Sequence, residues 1–372
     1  MIYLDYNATT PIDKEVADAM FPFLYENYGN PSSNHELGVT AKKAVEQARE
    51  HVAALINCSS DEIIFTSGGS ESNNTAIKGV AFKYRNKGNH IVTSTIEHPA
   101  VLNPCNFLKK MDYNISYIPV DEYGVVKIKE LENSISSQTI LVTVMHSNNE
   151  TGTLQPIKEI AHFCHKHDVL FHTDASQSVG KVPVDVQELE VDFLTIAGHK
   201  LYAPKGIGAL YIRKGIEIEP LIHGAGHEKG RRAGTENIVF DVALGKACEI
   251  AGKELKHDHV KQLTEYFYTN IKETFGSRIK LNGHPEKRLP NTLNISFLGY
   301  NGHEIINSME DVAASTGSAC HSGSTTISPV LKAMEVSEEA GRGAVRFSLG
   351  RYTTKDTIDE VLLRMNKIRV YG

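Results

Sequence analysis

From about residue 60 to residue 215, short apolar runs alternate with stretches of helical period. The runs at 63–66, 91–94, 115–118, 140–145, 169–173, 193–196 and 209–212 are rich in β-branched and aromatic residues, and each is too short for a helix. They predict seven strands. Between them, 71–85, 99–110, 127–136 and 157–167 predict helices. Pro99 and Pro156 stand where a first helical turn tolerates a missing N–H. This alternation predicts a mostly parallel sheet covered on both faces. Sheets of that kind take their ligands at the carboxyl ends of the strands.

Beyond residue 255 the pattern changes. A helix over 257–275, strands at 291–297, 312–315 and 344–349, and a last helix over 356–369 predict a smaller α+β unit. No Pro- or Gly-rich linker marks the boundary. The expected division is a large unit of residues 14–255 and a small domain made of 1–13 and 256–372, which carries Cys320.

Composition narrows the class. With 41% hydrophobic and 23% charged residues, disorder, collagen and coiled coil are excluded. A chain of 372 residues predicts two or three domains. The net charge of −6 leaves no basic excess for a phosphate backbone, so direct nucleic-acid binding is not expected. No apolar run is long enough to span a bilayer, and the opening MIYLDYNATTP lacks the basic start of a secretory leader. A cytoplasmic enzyme is expected. The five cysteines are odd in number and include no CxxC, which argues against a disulfide framework and leaves room for a reactive thiol.

The polar clusters fall just after the predicted strands. Ser67-Gly68-Gly69-Ser70-Glu71-Ser72-Asn73-Asn74 follows the first and opens a helix. Glycines admit an anion close to the backbone, and free N–H groups at a helix start attract it, although an ordinary strand-to-helix turn reads the same way. Glu97-His98-Pro99, Ser147 to Gly152, Asp174-Ala175-Ser176-Gln177 and Gly198-His199-Lys200 follow later strands. Each is weak alone, but together they converge on one rim. A phosphate loop, an acid and a lysine at strand ends suggest pyridoxal phosphate, which needs a lysine for its covalent link, a carboxylate facing the ring nitrogen and a phosphate cradle. Asp174 and Lys200 fit those roles.

The strings SGGSESNN, IEHPAV, NNETG, HTDASQ, GHKLYAPKGIGALY, GHEKGRRAGTEN, STGSACHSG and VRFSLGRYTT occur in this order. On them the chain resembles cysteine desulfurases of the NifS/IscS type, within the class V aminotransferases and the fold-type-I pyridoxal-phosphate enzymes. The resemblance runs from Tyr3 to about residue 365. It implies a seven-stranded, mostly parallel sheet in a large domain, pyridoxal 5'-phosphate as cofactor and L-cysteine as substrate. It implies that Lys200 carries the cofactor, that Asp174 faces its ring nitrogen and that His98 stacks on the ring and helps move protons. Gln177 would reach the phenolic oxygen, and Gly69, Ser70 and His199 would hold the phosphate. Asn149 and Arg346 would bind the substrate carboxylate, for which a guanidinium fork is well shaped. Cys320 would accept the sulfur as a persulfide. Thr235 would reach the cofactor phosphate of the other subunit in a homodimer.

Cys320 also stands out by its surroundings. Residues 315–328 hold one large apolar side chain, whereas a structural cysteine packs among apolar neighbours. Cys58, Cys105, Cys164 and Cys248 lie beside helical or capping patterns and read as structural. His162, Cys164, His165 and His167 crowd one helix, but no zinc-ligand spacing completes them, and no metal is expected. The chain departs from the family pattern at Ala197, where a phosphate-binding serine is frequent, at Gly69 and Ser70, where Ala and Thr are usual, and at Ala225, where glycine is frequent. The stretch from Cys320 to Arg346 leaves room for the long loop of desulfurases that deliver sulfur directly to an acceptor, such as an iron–sulfur scaffold or a tRNA-thiolation enzyme. Selenocysteine lyase is a rival within the same chemistry, favoured by the opening YLDYNATTP and by Ala197. A non-catalytic sulfur-relay or scaffold protein is a rival of another class.

Overall fold

The computed structural model describes residues 1–316 and 327–368. Strands β1 (Ile2–Tyr3), β2 (Ile63–Thr66), β3 (His90–Ser94), β4 (Asn114–Ile118), β5 (Thr139–Thr143), β6 (Leu170–Asp174), β7 (Phe193–Ala197) and β8 (Gly208–Ile212) come first. They are followed by β9 (Ile279–Asn282), β10 (Thr292–Phe297), β11 (Val312–Ala313) and β12 (Ala344–Ser348). The seven-stranded sheet has the order β2-β8-β7-β6-β5-β3-β4. Strand β8 is antiparallel to both β2 and β7, and the pairs from β7 to β4 are parallel.

The sheet is apolar because both faces are covered. One face packs under helices Glu36–Leu55, Ile157–Lys166 and Ile238–Glu254, through Val45, Val52, Phe171, Leu194, Ile160 and Leu244. The other packs under Gly69–Lys83 and Pro99–Lys109, through Ile77, Val80, Val101, Leu108, Ile91 and Leu141. Strands β2, β3, β5 and β7 are buried along their whole length, which explains why adjacent apolar residues such as Ile63-Ile64-Phe65, Ile91-Val92 and Ile140-Leu141-Val142 face both sides of the sheet.

A separate three-stranded antiparallel sheet, β12-β10-β9, builds a second apolar cluster with helices His259–Phe275 and Lys355–Ile368. Leu4 joins this cluster, and β1 pairs in parallel with β11. The N-terminal segment then crosses to the large sheet, where Thr10 N donates to His199 O at 3.1 Å.

Observed elements differ from the sequence pattern at several ends. The helix expected at 71–85 starts at Gly69, because Gly68 turns the chain at φ 142°, a conformation glycine favours. Helices Lys14–Tyr25, Glu36–Leu55 and Ile238–Glu254 lie outside the alternating region and add to the expected set. So does β9, an edge strand whose Lys280 stays exposed. Strand 312–315 shortens to Val312–Ala313.

Candidate active site

A cleft of about 530 Å³ opens at the carboxyl ends of the strands. Each of the polar clusters contributes to its wall. Asp174 ends β6 and Ala197 ends β7. His98 caps the helix after β3, with Pro99 in its first turn. Lys200 closes the 3₁₀ turn Gly198–Lys200, and Gly69 and Ser70 open the helix after β2. Gln177, Asn149, His199 and Arg346 complete the lining.

Asp174 forms the buried floor. Its Oδ2 accepts from Asn73 Nδ2 at 2.7 Å and its Oδ1 from the Ser176 amide at 3.0 Å. Two donors on different elements therefore fix the carboxylate. Lys200 Nζ donates to Ala8 O at 2.7 Å and to Asn7 O. Burial brings its pKa down to about 8, the Arg346 guanidinium adds to the effect, and Asp5 and Asp174 oppose it. An amine of that kind is partly neutral near physiological pH and can act as a base. The Ala100 amide donates to His98 Nδ1 at 3.1 Å, which leaves Nε2 to carry the proton of a neutral ring. The cleft walls desolvate the ring and lower its pKa; Asp174 opposes this and Lys200 adds to it. His199, beside Thr9 Oγ1 at 3.1 Å, is brought down to about 4 by burial and by the cations Lys200, Lys205 and Lys181.

Arg346 projects from β12. Its Nη2 donates to Asp5 Oδ1 at 2.6 Å and its Nη1 to Asn149 O at 3.0 Å, while Nε is buried without a hydrogen-bond partner among the described residues. A guanidinium held this way retains a donor for an anion. The flanks of residues 317–326 are fastened close to it. Ser315 pairs with the Arg346 backbone, and Ser328 Oγ donates to Glu150, the neighbour of Asn149. Burial pushes Glu150 up to about 7, against the Ser328 hydrogen bond and Arg346.

The residues present fit pyridoxal phosphate. A cation that can be neutral, a fixed carboxylate and an N-terminal helical turn share one cleft. A Cβ built on Gly69 would meet Ser176 Oγ at 3.0 Å and Ala197 Cβ at 3.3 Å, so the bare glycine keeps the cradle open. The Ser176 hydroxyl lines the same wall where Ala197 supplies none.

One expected residue is not brought into this cleft by its own chain. Thr235 is exposed and stands outside it, in a segment tied to the chain's own helix start by Arg232 Nε to Glu71 Oε1 at 2.8 Å. Cys320 lies outside the described residues. The other four cysteines have their thiols pushed up by burial, Cys58, Cys105 and Cys248 to about 12, and Cys164 in the same direction. In the histidine-rich helix, Cys164 faces the core, while His165 Nε2 meets Asp192 Oδ2 at 3.0 Å and His167 Nδ1 meets Phe163 O.

Sequence reasoning missed Asn7, Asn73 and Lys181. Asn7 is buried, and its amide joins Asn149 O, Thr292 Oγ1 and Lys181 Nζ. The polar run Asn7 to Thr10 after an apolar start carried that signal.

Known proteins resemble this chain over nearly its whole length. The sequence profile of Aminotransferase class-V matches residues 2–361. Cysteine desulfurase IscS of Dictyoglomus turgidum is 49% identical, over 99% of this chain and 94% of its own. A solved NifS-like protein superposes with TM-score 0.93 at 37% identity, with full coverage of both chains. A solved complex of SspA with cysteine has TM-score 0.85 at 39% identity, over 95% of this chain and all of that one. The chain belongs to the class V aminotransferase family of fold-type-I pyridoxal-phosphate enzymes. Within that family it is a cysteine desulfurase of the NifS/IscS type. No helix among the described residues is long and apolar enough to cross a membrane.

Proposed function

We propose that this desulfurase works through the residues of the cleft as follows. Arg346 and Asn149 hold the carboxylate of L-cysteine. When bound, pyridoxal phosphate supplies an electron sink for charge developing at the substrate Cα. Asp174, pinned by Asn73 and Ser176, holds the proton on the ring nitrogen. Lys200, with its pKa near 8, takes the Cα proton. His98 Nε2 moves protons at the ring face, and Gly69, Ser70 and His199 hold the phosphate. Cys320, as a thiolate, attacks the substrate sulfur. The Cβ–S bond breaks, an S–S bond forms on Cys320, Cβ gains a proton, and Lys200 returns a proton to Cα as L-alanine leaves. The persulfide then passes to an acceptor, such as an iron–sulfur scaffold or a tRNA-thiolation enzyme.

The observation that carries this reading is the convergence of Asp174, Lys200, His98 and Arg346 on one cleft, with both flanks of residues 317–326 fastened beside Arg346. The second apolar cluster, built from Leu4 and residues between Leu263 and Met365, supports the division into 14–255 and 1–13 with 256–372, while Val330, Leu331, Met334 and Ala340 of the latter pack into the large unit's cluster. A cytoplasmic homodimer, with Thr235 lent to the other subunit's phosphate, completes the proposal.

The test is turnover of the purified holoenzyme on L-cysteine and on L-selenocysteine, read as alanine formed. Alanine from both, with sulfide released from cysteine in the presence of a reductant, is expected. Turnover of selenocysteine alone would make the chain a selenocysteine lyase, and turnover of neither would leave a sulfur-relay or scaffold role.

A further inference from the structure

Lys181 has no role in the chemistry above, yet its amino group is turned inward toward the cleft wall. After β6 the chain coils. Ser178 and Val179 amides donate to Ala175 O, and Lys181 and Val182 amides donate to Ser178 O. Coiling of this kind places residues four apart on one side, so Lys181 meets Gln177. Lys181 Nζ donates to Gln177 Oε1 at 2.8 Å and to Asn7 Oδ1 at 3.1 Å.

Both amides are oriented without ambiguity. Gln177 Nε2 donates to Asn7 O at 2.9 Å, and a carbonyl can only accept. Gln177 Oε1 therefore faces Lys181, which can only donate while protonated. Asn7 Nδ2 donates to Asn149 O at 3.2 Å and to Thr292 Oγ1 at 2.8 Å, so Asn7 Oδ1 faces Lys181 as well. Asn291 Nδ2 supports that Oδ1 at 3.1 Å. Lys181 thus links the side chain of a cleft residue to the segment whose carbonyls also hold Lys200 Nζ.

This placement is costly. Burial lowers the pKa of Lys181 well below the ordinary lysine value, and the neighbouring cations Lys200 and Arg346 lower it further. The flanking residues Val179, Val182 and Val184 are apolar, so the Gln177 and Asn7 oxygens must replace the water that the amino group loses. A basic side chain kept here against that cost acts through the contacts it makes.

We propose that Lys181 is a positioning residue that locks the Gln177 amide with Nε2 toward the cleft, making Gln177 an obligatory donor to the phenolic oxygen of bound pyridoxal phosphate. The proposal rests on the reading of Gln177 given above. A donor at that oxygen favours its anionic form and lowers the pH at which the link between cofactor and Lys200 loses its proton.

The experiment is a pH titration of the visible absorption of the holoenzyme, in the parent, Lys181→Met, Lys181→Arg, Gln177→Leu and the double variant Lys181→Met with Gln177→Leu. Gln177→Leu should raise the titration midpoint by about one unit, the size of one lost hydrogen bond to a charged acceptor. Lys181→Met should raise it by at least half as much, and Lys181→Arg, which retains donors, should stay near the parent. In the Gln177→Leu background Lys181→Met should add nothing. A shift that persists in that background would mean that Lys181 acts by its field and not through Gln177, and the proposal would fall. A lower melting temperature with an unmoved midpoint would show a merely structural lysine and overturn it too. An unmoved midpoint in Gln177→Leu alone would remove the Gln177 contact and the proposal together. A midpoint that moves in Gln177→Leu but not in Lys181→Met would overturn only the role of Lys181. If Lys181→Met does not accumulate folded, Lys181→Leu, which also lacks a donor, takes its place, with the same deciding outcomes.

Discussion

Replacing Arg346 by lysine separates the shape of the carboxylate site from its charge. The guanidinium is held at two nitrogens, by Asp5 at 2.6 Å and by Asn149 O at 3.0 Å, and its Nε is buried without a hydrogen-bond partner among the described residues. A lysine keeps the charge but has one nitrogen, which cannot face Asp5, Asn149 and a substrate carboxylate together. The loss is about one hydrogen bond to a charged group, about 1.5–3 kcal/mol, or roughly 10- to 150-fold in kcat/KM. Most of it should be in KM, because the carboxylate is held equally before and during reaction. Arg346→Gln removes the charge as well. The depression of the Lys200 pKa, to which Arg346 contributes after burial, should then relax, and the acidic limb of the rate profile, where Lys200 gains its proton, should move up in pH. Alanine formed against L-cysteine concentration, across pH, gives both quantities. Melting curves check that β12, whose five residues are all buried, still packs. An Arg346→Lys variant within threefold of the parent in kcat/KM, or an Arg346→Gln variant with an unmoved pH profile, would refute the assignment.

Asp174→Asn should lower turnover at least about 100-fold, near 3 kcal/mol in the barrier, because the ring nitrogen loses the charge that keeps it protonated; a rate within threefold of the parent would show another group in that role. Glu97 is buried against Ser94 Oγ and the Met145 amide, and burial raises its pKa from 4.5 to about 8. The native state then binds this proton more tightly than the unfolded chain. Its contribution to stability is complete below pH 4.5 and is lost as pH rises to about 8, so melting temperatures of the parent should fall across that window more steeply than those of Glu97→Gln. For the shared site, Lys200→Ala and Thr235→Asp chains, each inactive, should regain activity when refolded together. One kind of mixed site then has both an intact lysine and an intact partner loop. Verified mixed dimers without activity would contradict the loan of Thr235.

The strands were legible because burial on both faces writes them as unbroken apolar runs, as in Ile140–Val142 and Leu194–Ile196. The rim was legible because its polar clusters follow those runs directly, which is how Asp174 and Lys200 came to be placed. Strand direction was not legible: β8, antiparallel to both its neighbours, carries the same apolar character as the parallel strands β5 and β7. Lys181 was not legible either, since a lysine after glycine in Ser178-Val179-Gly180-Lys181 reads as a surface turn. Its partner Asn7 is 174 positions away, and only the tertiary fold joins them. Asn73 sits in a helix whose first residues read as a phosphate loop, and nothing local points it at Asp174. Thr235 belongs to the proposed interface, and within one chain it is exposed and outside the cleft formed by the described residues.

The central claim is that sulfur leaves L-cysteine for Cys320. Holoenzyme and the Cys320→Ser variant are each mixed with one equivalent of sulfur-labelled L-cysteine, without reductant, and quenched. Peptide mass spectrometry then reads the sulfur, and chromatography reads the alanine. The account predicts one added labelled sulfur on the peptide containing Cys320, alanine in equal amount, and neither product from Cys320→Ser, which should keep the bound cofactor's absorption. Labelled sulfur on another cysteine, or alanine from Cys320→Ser at the parent's rate, would contradict it.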